Sequence, residues 1–327
     1  PKIKTIVVTG TNGKSTTCKI IEHVLKTNKI NVKLGGNIGK PILSLNLKNQ
    51  PLVIIEASSF QLSYSKHIKP NHAILLNISK DHLDWHNSMN KYIDSKLKIF
   101  SNQEKKHFAY LNNKELLKKF KKNFFLSKVD LINIATIKKL RKKINNQYLE
   151  SEINVENLSF AHAVCKNLKI SDQSFVNSLR SFKGLPHRYE TILKSKDRIF
   201  INDSKATSFG SSKFALKNNK NIFWIVGGYP KRGDKFILEG VKKNIIKCYI
   251  IGKNTNFFKQ QIKNRIMFEK AKTIKNAIHL ILRDIKKFKC KYATVLLSPA
   301  SASYDQYKNF NERGNDFKKI VKKYGNK

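Results

Sequence analysis

Short apolar runs alternate with helix-like patterns along nearly the whole chain of 327 residues. This alternation restricts the possible folds, because an apolar run followed by a helix pattern favours a βαβ unit with parallel strands. The predicted strands cover residues 3–8, 52–55, 72–76, 108–111, 198–201, 221–226, 246–251 and 293–297. The sequence therefore predicts an α/β protein with parallel sheets covered by helices.

A break in this pattern divides the chain into two domains. Helix patterns cover residues 16–25, 92–100, 155–168, 172–182, 273–286 and part of 311–324. After 172–182 comes the turn sequence Lys183-Gly184-Leu185-Pro186, whose glycine and proline end the helix. We predict a first domain at 1–183 and a second, Rossmann-like α/β domain at 184–327. The Lys/Asn-rich stretch 114–150 is interpreted as the end of the first sheet plus a surface excursion.

The composition is strongly basic, with 65 Lys and Arg residues against 22 Asp and Glu residues and a net charge of +43. Such a charge favours nucleic-acid binding. However, the lysines are spread among Asn and Ile residues and form no regular stripe with aromatic residues. We predict an anionic substrate and no nucleic-acid partner, and keep a basic ATP-binding module that contacts nucleic acid as an alternative.

Two further features bear on location. No apolar stretch approaches the ~18 residues that a membrane span needs, so we expect no membrane partner. Cys18, Cys165, Cys248 and Cys290 are far apart, which indicates neither a zinc site nor a disulfide framework. Reduced thiols are the default inside cells, and we predict a cytoplasmic monomer.

The first predicted strand ends in the loop Gly10-Thr11-Asn12-Gly13-Lys14-Ser15-Thr16, and a helix pattern follows. Glycines let the backbone approach a phosphate closely, while N–H groups and the helix N-terminus supply positive potential. Lys14 would reach the β- and γ-phosphates and Ser15 would bind Mg²⁺. Val8 occupies the position of the first glycine in the standard spacing, so a tight turn with a hydroxyl N-cap is the alternative. We predict a P-loop-type nucleotide site formed by all seven loop residues.

Glu56 directly follows the apolar run 52–55. A carboxylate at the carboxyl end of a parallel strand, beside a phosphate loop, is a natural ligand for Mg²⁺. The alternative is that Glu56 caps the turn that follows.

The loop sequence GTNGKST resembles the ATP loop of the Mur ligases, the amide-forming enzymes of peptidoglycan precursor synthesis, and of their relatives the folylpolyglutamate synthases. Within the family, the resemblance is to the D-glutamate-adding members, and it continues in order along nearly the whole chain. Each motif is weak alone, but nine in sequence are specific. The others are GGNIGKP (35–41), EASSFQL (56–62), NISKDHLDWH (77–86), YIDSKLKIF (92–100), GLPHRYE (184–190), NDSKATS (202–208), GGYPK (227–231) and LSPASASYDQYKNFNERGNDF (297–317).

The resemblance implies an ATP-dependent ligase that joins D-glutamate to UDP-N-acetylmuramoyl-L-alanine. The substrate carboxylate would attack the γ-phosphate of ATP, and the amine would then attack the acyl phosphate. Such chemistry depends on positioning and on cations near the developing charge. The implied catalytic residues are Lys14, His82, Lys96 and Lys205.

The resemblance also implies two Mg²⁺ ions. Ser15 and Glu56 would bind the first with the ATP phosphates. His82 and a carbamylated Lys96 would bind the second, which draws the substrate carboxylate and the γ-phosphate together. Asp81 would help to orient the entering amine.

The remaining implied contacts are with nucleotide and substrate. Asn157, Arg188 and Asp203 are matched to ATP binding. The family has a second Asn on the helix of Asn157, and Phe160 is assigned to that position, which puts the adenine contacts in doubt. The implied substrate residues are Asn37, Ser58, Asp81, Thr207, Lys231, Ser303 and Phe310, with Ser208 standing where the family usually has Asn.

In the resembled ligases a domain that grips the UDP group precedes the ATP loop, and we find no counterpart of it. The sequence is therefore interpreted as an incomplete fragment that binds ATP but handles the UDP-sugar poorly. The alternative within the same chemistry is another acceptor, as in a folylpolyglutamate synthase or a neighbouring Mur ligase.

Overall fold

The structure, a computed structural model, describes residues 3–123, 125–146, 148–149, 152–231 and 233–325. The chain divides into two compact units, Pro1–Gly184 and Leu185–Lys327, called unit 1 and unit 2 below. The predicted boundary at 183/184 lies one residue earlier.

Within its described residues, unit 1 forms one sheet of six parallel strands in the order β2-β3-β1-β4-β5-β6. The strands are β1 (Thr5–Thr9), β2 (Val32–Gly36), β3 (Leu52–Glu56), β4 (His72–Leu75), β5 (Phe108–Leu111) and β6 (Lys128–Leu131). The helices are α1 (Lys14–Thr27), α2 (Ser59–Tyr64), α3 (Leu83–His86), α4 (Met89–Leu97), α5 (Lys114–Lys122), α6 (Ile134–Ile144), α7 (Glu152–Asn167) and α8 (Asp172–Arg180).

Burial explains why β1 is central in unit 1. Four of its five residues are buried, and β3 and β4 flank it in register. One face of the sheet packs Val7 and Leu75 against Leu97 and Phe100 in a single apolar cluster. The loops after β1, β3 and β4 therefore emerge side by side at the carboxyl edge of the sheet, which is where open α/β sheets bind ligands.

Unit 2 contains a second sheet, in the order β11-β10-β9-β12-β8-β7. Its strands are β7 (Glu190–Lys194), β8 (Arg198–Asn202), β9 (Ile222–Gly227), β10 (Ile245–Ile251), β11 (Phe268–Lys272) and β12 (Ala293–Leu297). Its helices are α9 (Phe209–Lys217), α10 (Thr255–Ile262), α11 (Ile274–Lys287) and α12 (Phe310–Tyr324). Short 3₁₀ turns occur at Ile42–Ser44, Lys98–Phe100 and Lys242–Asn244.

The predicted fold class, two α/β units built on parallel sheets, is confirmed. The structure adds elements that the sequence patterns did not predict: β2, β6, β7, β11, α2, α3, α5, α6, α9 and α10. The one departure from parallel order is β7, which pairs antiparallel with β8 through a short hairpin closed by the Ser195 N–H donating to the Arg198 carbonyl. Among the described residues, no helix is long and apolar enough to cross a membrane.

Candidate active site

The loop between β1 and α1 depends on two glycines with positive φ angles. Gly10 has a φ of 150°, and Gly13, the N-cap of α1, has a φ of 84°. A Cβ atom on Gly13 would lie 2.1 Å from Asn157 Oδ1 on α7. Glycine is required at position 13 both by the left-handed backbone and by this close approach. The positive end of the α1 dipole consequently faces the loop without a side-chain cap.

Side chains from other elements brace the loop. The Thr11 and Asn12 N–H groups donate to the carbonyl and side-chain oxygens of Asn77, each at 2.9 Å. The Thr11 hydroxyl lies 3.0 Å from the Tyr92 hydroxyl. Asn77 in turn donates to Glu156 Oε2 at 2.7 Å. Sequence reasoning assigned no role to Asn77, Tyr92 or Glu156, because their contacts join residues far apart in the chain.

Two lysine ammonium groups meet at one carbonyl of this loop. Lys14 Nζ and Lys96 Nζ each donate to the Gly10 carbonyl at 2.8 Å, and Lys14 also donates to the Thr11 carbonyl at 2.9 Å. Lys96 is buried, and its Nζ lies 4.7 Å from the centre of the Tyr92 ring. Burial, together with the positive charge of Lys14, lowers the pKa of Lys96 to about 7. Two ammonium groups at one carbonyl, one on a buried and one on a half-buried side chain, form a site that favours an anion.

Glu56 ends β3 at the same edge of the sheet, opposite Val8 of β1. Its side chain is buried, and Oε1 accepts a hydrogen bond of 3.1 Å from Asn37 Nδ2. Among the described residues, Oε2 has no hydrogen-bond partner. A buried carboxylate oxygen without a donor is costly unless a cation binds it. Ser58, which follows on the chain, caps α2 in a capping box with Gln61.

His82 and Asp81 lie after β4, at the start of α3. His82 has a left-handed backbone with a φ of 52°, and its Nε2 lies 3.4 Å from Asp81 Oδ2. The Phe60 ring contacts the His82 ring edge-on, with 4.9 Å between centroids. Phe60 also packs against His86, which is buried with its Nε2 2.9 Å from Ser59 Oγ. Burial and the charges of His82 and Lys96 lower the pKa of His86, which favours its neutral form. The side chain of His82, in contrast, is exposed to solvent.

Asn157 of α7 lies close to the glycine loop. It is buried, accepts from the Thr17 hydroxyl at 3.3 Å, and donates to Asn154 Oδ1 at 3.2 Å. Phe160, assigned from sequence to the second asparagine position, is fully buried. Asn154, three residues before Asn157, lies on the same face of the helix, and sequence reasoning did not single it out.

In unit 2, the loop after β8 holds a half-buried carboxyl group, that of Asp203. Asp203 Oδ1 accepts from the Tyr189 N–H at 3.1 Å, and Oδ2 accepts from the Ser298 hydroxyl at 2.8 Å. Burial raises the pKa of Asp203 to about 7, against the lowering effects of these donors and of the nearby Arg188 charge. Arg188 and Asp203, both predicted from sequence, therefore lie near each other in this unit.

Lys205 follows on the same loop and packs on an aromatic ring. Its Nζ lies 3.8 Å from the centre of the Phe310 ring, at the first residue of α12. This cation–π contact fixes the direction of the ammonium group. The Lys205 N–H donates to the His187 carbonyl at 2.9 Å, which ties the loop to the chain beside Arg188.

The other predicted substrate residues of unit 2 lie on loops that are tied together at the carboxyl edge of its sheet. Thr207 precedes α9, whose Phe209 N–H donates to Asp234 Oδ2 at 2.9 Å, and the Asp234 N–H donates to the Lys231 carbonyl. Ser303 is buried in the loop after β12. That loop pairs with the loop after β9 through two hydrogen bonds between Tyr229 and Ala302. Ser208, the other departure, is the N-cap of α9.

Arg313 on α12 is the buried cation of unit 2, and it was not singled out from sequence although it lies in the matched stretch 297–317. Its guanidinium donates to the Ser204 carbonyl at 2.8 Å, the Ser204 hydroxyl at 3.0 Å and the Ser301 carbonyl at 2.9 Å. Burial lowers the pKa of Arg313 to about 10, so the side chain stays charged at neutral pH. Arg313 thus joins the loops after β8 and β12.

Comparison with known proteins identifies the family. The Mur ligase middle domain matches residues 8–175. The UDP-N-acetylmuramoylalanine–D-glutamate ligase of Rickettsia prowazekii is 35% identical over an alignment that covers 98% of this chain and 76% of that protein. The chain belongs to the Mur ligase family. The ligase of the same name from Rhizobium meliloti is 33% identical, covering 97% of this chain and 73% of that protein.

Solved structures agree with the Mur ligase fold at low sequence identity. A MurF ligase from Thermotoga maritima in complex with ADP has a TM-score of 0.67 and 17% identity, over 98% of this chain and 80% of that one. MurC of the same organism has a TM-score of 0.63 and 17% identity, over 99% of this chain and 76% of that one. The expected family and class, ATP-dependent amide ligases of peptidoglycan synthesis, are confirmed.

Proposed function

We propose that this Mur ligase uses ATP to join D-glutamate to UDP-N-acetylmuramoyl-L-alanine through an acyl phosphate. The relatives that carry the corresponding name support the choice of substrates. The observation that carries the chemistry is the convergence of Lys14 and Lys96 on the Gly10 carbonyl, inside a glycine loop at the start of α1. An ATP triphosphate placed there would relieve the repulsion between the two ammonium groups, and they would offset its charge.

The residues of unit 1 fit divalent cations bound together with phosphate. No three His, Cys, Asp or Glu side chains cluster as a metal site in the part of the chain that the structure describes. Mg²⁺, however, typically takes only one or two protein carboxylates and fills its shell with phosphates and water. Ser15 and Glu56, with its unpartnered buried Oε2, would hold one ion, and His82 with a carbamylated Lys96 a second. Bound there, Mg²⁺ neutralises phosphate and carboxylate oxygens.

The lowered pKa of Lys96 supports its carbamylation. With a pKa of about 7, about half of the Lys96 amines are neutral at pH 7, against roughly one in 2,000 for an ordinary lysine. The neutral nitrogen attacks CO₂, the new N–C bond forms, and one amine proton leaves to water, so a cation becomes a carboxylate-like ligand. The change also removes one of the two positive charges at the Gly10 carbonyl.

Unit 2 would supply the amino-acid site and a second set of nucleotide contacts. Lys231, Thr207 and Ser303 offer an ammonium and two hydroxyls to a dicarboxylate amino acid. Lys205, oriented by Phe310, would stabilise the charge that develops on the acyl phosphate. Arg188 is suited to bidentate phosphate contact, and Asp203 to the ribose or its surroundings.

Amino-acid-dependent phosphate release tests this proposal. ATP, Mg²⁺ and UDP-N-acetylmuramoyl-L-alanine are supplied, and D-Glu, L-Glu and L-Lys are tested in turn. We expect release only with D-Glu, and a decrease of about 10²–10³-fold in Lys14→Ala. Release that depends on L-Lys, or that needs no amino acid, would contradict the assignment of substrate.

The carbamate has its own test. With ¹³C-bicarbonate, a ¹³C NMR carbamate signal is expected in the unaltered chain and in Lys91→Ala, an exposed lysine of the same helix. The signal should be absent from Lys96→Ala, and activity should fall in that variant alone. Full activity of Lys96→Ala would remove Lys96 from the mechanism.

The metal assignment is tested through Glu56→Gln. Because Oε2 has no donor to lose, we expect stability to change by less than about 1 kcal/mol. ATP affinity should fall with Mg²⁺ present and be unchanged in EDTA. Equal losses in both conditions would exclude Glu56 as a ligand of the ion.

A further inference from the structure

The outer edge of the unit 1 sheet exposes apolar side chains that an inner strand would bury. Val129 and Leu131 of β6 lie opposite Ala109 and Leu111 of β5 in register, so the four share one face of the sheet. On β5 both residues are fully buried in the core. On β6, Val129 is 37% exposed and Leu131 is 45% exposed. The core face of the sheet thus continues onto the surface at this edge.

Two more aliphatic residues extend the exposed strip. Leu126, shortly before β6, is 59% exposed, and Ile134, the first residue of α6, is 38% exposed. Four exposed aliphatic side chains therefore fall within nine consecutive residues. Single exposed apolar residues are ordinary, but a concentration of them marks an interaction site.

The segment that carries the strip is strongly basic. Residues 114–143, which cover α5, β6 and α6 as far as Lys143, contain eleven Lys or Arg residues and two acidic residues. One of the acidic residues, Asp130, is occupied on the opposite face by Asn167 Nδ2 at 3.2 Å. Exposed lysines lie on the helices before and after β6: Lys114, Lys118, Lys121, Lys122, Lys138, Lys139, Lys142 and Lys143.

We propose that this basic edge, residues 114–143, adsorbs to the surface of a bilayer that contains anionic lipids. Lysine ammonium groups on flexible stems match lipid phosphates, and aliphatic side chains between them enter the interface. Such adsorption needs no segment that spans the bilayer, and no helix among the described residues is long and apolar enough to do so. This inference departs from the sequence-based expectation of no membrane partner, which was drawn from the lack of a spanning segment, and it does not rest on the proposed function.

Two other occupants fit the surface less well. Nucleic-acid surfaces favour arginine forks and aromatic stacking. The basic edge has one arginine, Arg141, and, among its residues that the structure describes, the exposed apolar ones are all aliphatic. A second copy of this chain would set one basic edge against another, and two bodies of +43 repel each other.

Sedimentation with vesicles tests the proposal on the whole chain. At about 0.15 M salt, we expect binding to vesicles that contain phosphatidylglycerol and little binding to phosphatidylcholine alone. The variant that replaces Lys121, Lys122, Lys142 and Lys143 by Gln should lower the partition coefficient at least about tenfold. Leu126→Ser with Leu131→Ser should lower it several-fold at unchanged net charge.

A matched control separates this surface from the general basicity of the chain. Lys242, Lys243, Lys286 and Lys287 are exposed lysines of unit 2, and their replacement by Gln removes the same charge. We expect this control to retain at least half of the binding. Circular dichroism melts confirm that every variant is folded.

Three results would overturn the proposal. They are equal losses in the two lysine variants, unchanged binding in the double serine variant, and release of the vesicle-bound chain by an equal phosphate concentration of duplex DNA. The first would assign binding to net charge alone, the second would remove the apolar strip, and the third would favour a nucleic-acid partner.

Discussion

Each unit buries a basic side chain at the carboxyl edge of its sheet, and the two side chains differ in their hydrogen-bond acceptors. Lys96 of unit 1 shares a single carbonyl with a second ammonium group, that of Lys14. Arg313 of unit 2 donates to two carbonyls and a hydroxyl on two loops. Burial lowers the pKa of Lys96 to about 7 but that of Arg313 only to about 10. A buried cation whose donors are used by several acceptors, such as Arg313, joins loops and acts as a structural tie. A buried cation that shares one acceptor with a second cation, such as Lys96, can still bind an anion.

The largest expected effect breaks the structural tie. Arg313→Met leaves the Ser204 and Ser301 carbonyls buried without donors, so we expect unit 2 to lose about 3–5 kcal/mol of stability. Hydrogen exchange of unit 2 peptides in increasing urea measures it. Lys319→Met, an exposed position on the same helix, should change stability by less than about 0.5 kcal/mol. A loss below about 1 kcal/mol for Arg313→Met would show that the loops hold without the arginine.

Next in size is the glycine that shapes the phosphate loop. Gly13→Ala places a Cβ atom in a left-handed backbone and against Asn157 Oδ1, so unit 1 should lose about 2–4 kcal/mol and ATP affinity should fall. Urea titration with hydrogen exchange of unit 1 peptides, and calorimetry with ATP, measure the two. Gly210→Ala on α9 meets open space and should be neutral or slightly stabilising. Equal behaviour of the two alanines would contradict the strain argument.

Lys96→Met should have the opposite sign to Arg313→Met. It removes a buried charge, while the Gly10 carbonyl keeps its hydrogen bond from Lys14. We therefore expect unit 1 to gain about 1–4 kcal/mol at pH 7 without nucleotide or CO₂, even though ligase activity is lost. Thermal melts in CO₂-free buffer report the change. A destabilised variant would mean that Lys96 is a structural tie like Arg313.

The last prediction concerns the pH dependence of that gain. Because the folded-state pKa of Lys96 is below its unfolded value, the unfolded chain binds more protons between about pH 7 and 10.5. The stability contributed by neutral Lys96 is present above this window and is lost as the pH falls through it. The advantage of Lys96→Met should therefore grow from pH 10 to pH 7 and then stay constant. Melts at intervals of pH test this, and a flat difference would contradict the lowered pKa.

Sequence patterns predicted the buried elements well and the exposed ones poorly. The predicted strand at 108–111 coincides with β5, and that at 293–297 with β12, because these strands are buried apolar runs. In contrast, β6 lies at the edge with three of its four residues exposed. The neighbouring helices α5 and α6 bury only two side chains each. Few apolar residues therefore mark the helical period among the lysines. The stretch 114–150, interpreted as the end of the first sheet plus a surface excursion, contains the edge strand β6 and the helices α5 and α6.

The residues of the candidate site also fall into those that sequence reasoning singled out and those that it missed. The glycine loop, Glu56 and Lys96 follow from motifs local in sequence. The partners that give them their chemistry do not, because Lys96 reaches Gly10 across 86 positions and Asn77 reaches Glu156 across 79. Only the folded chain brings such pairs together.

Lys14 binds the carbonyls of its own loop at 2.8 and 2.9 Å, and this has a consequence for discrimination among anions. An anion that binds to the Lys14 ammonium group must replace these two hydrogen bonds within the loop. A weakly bound monovalent anion cannot replace them at ordinary concentrations, whereas a triphosphate chelate, anchored at several points, can. These hydrogen bonds within the loop therefore favour binding of the nucleotide triphosphate over binding of simple inorganic anions.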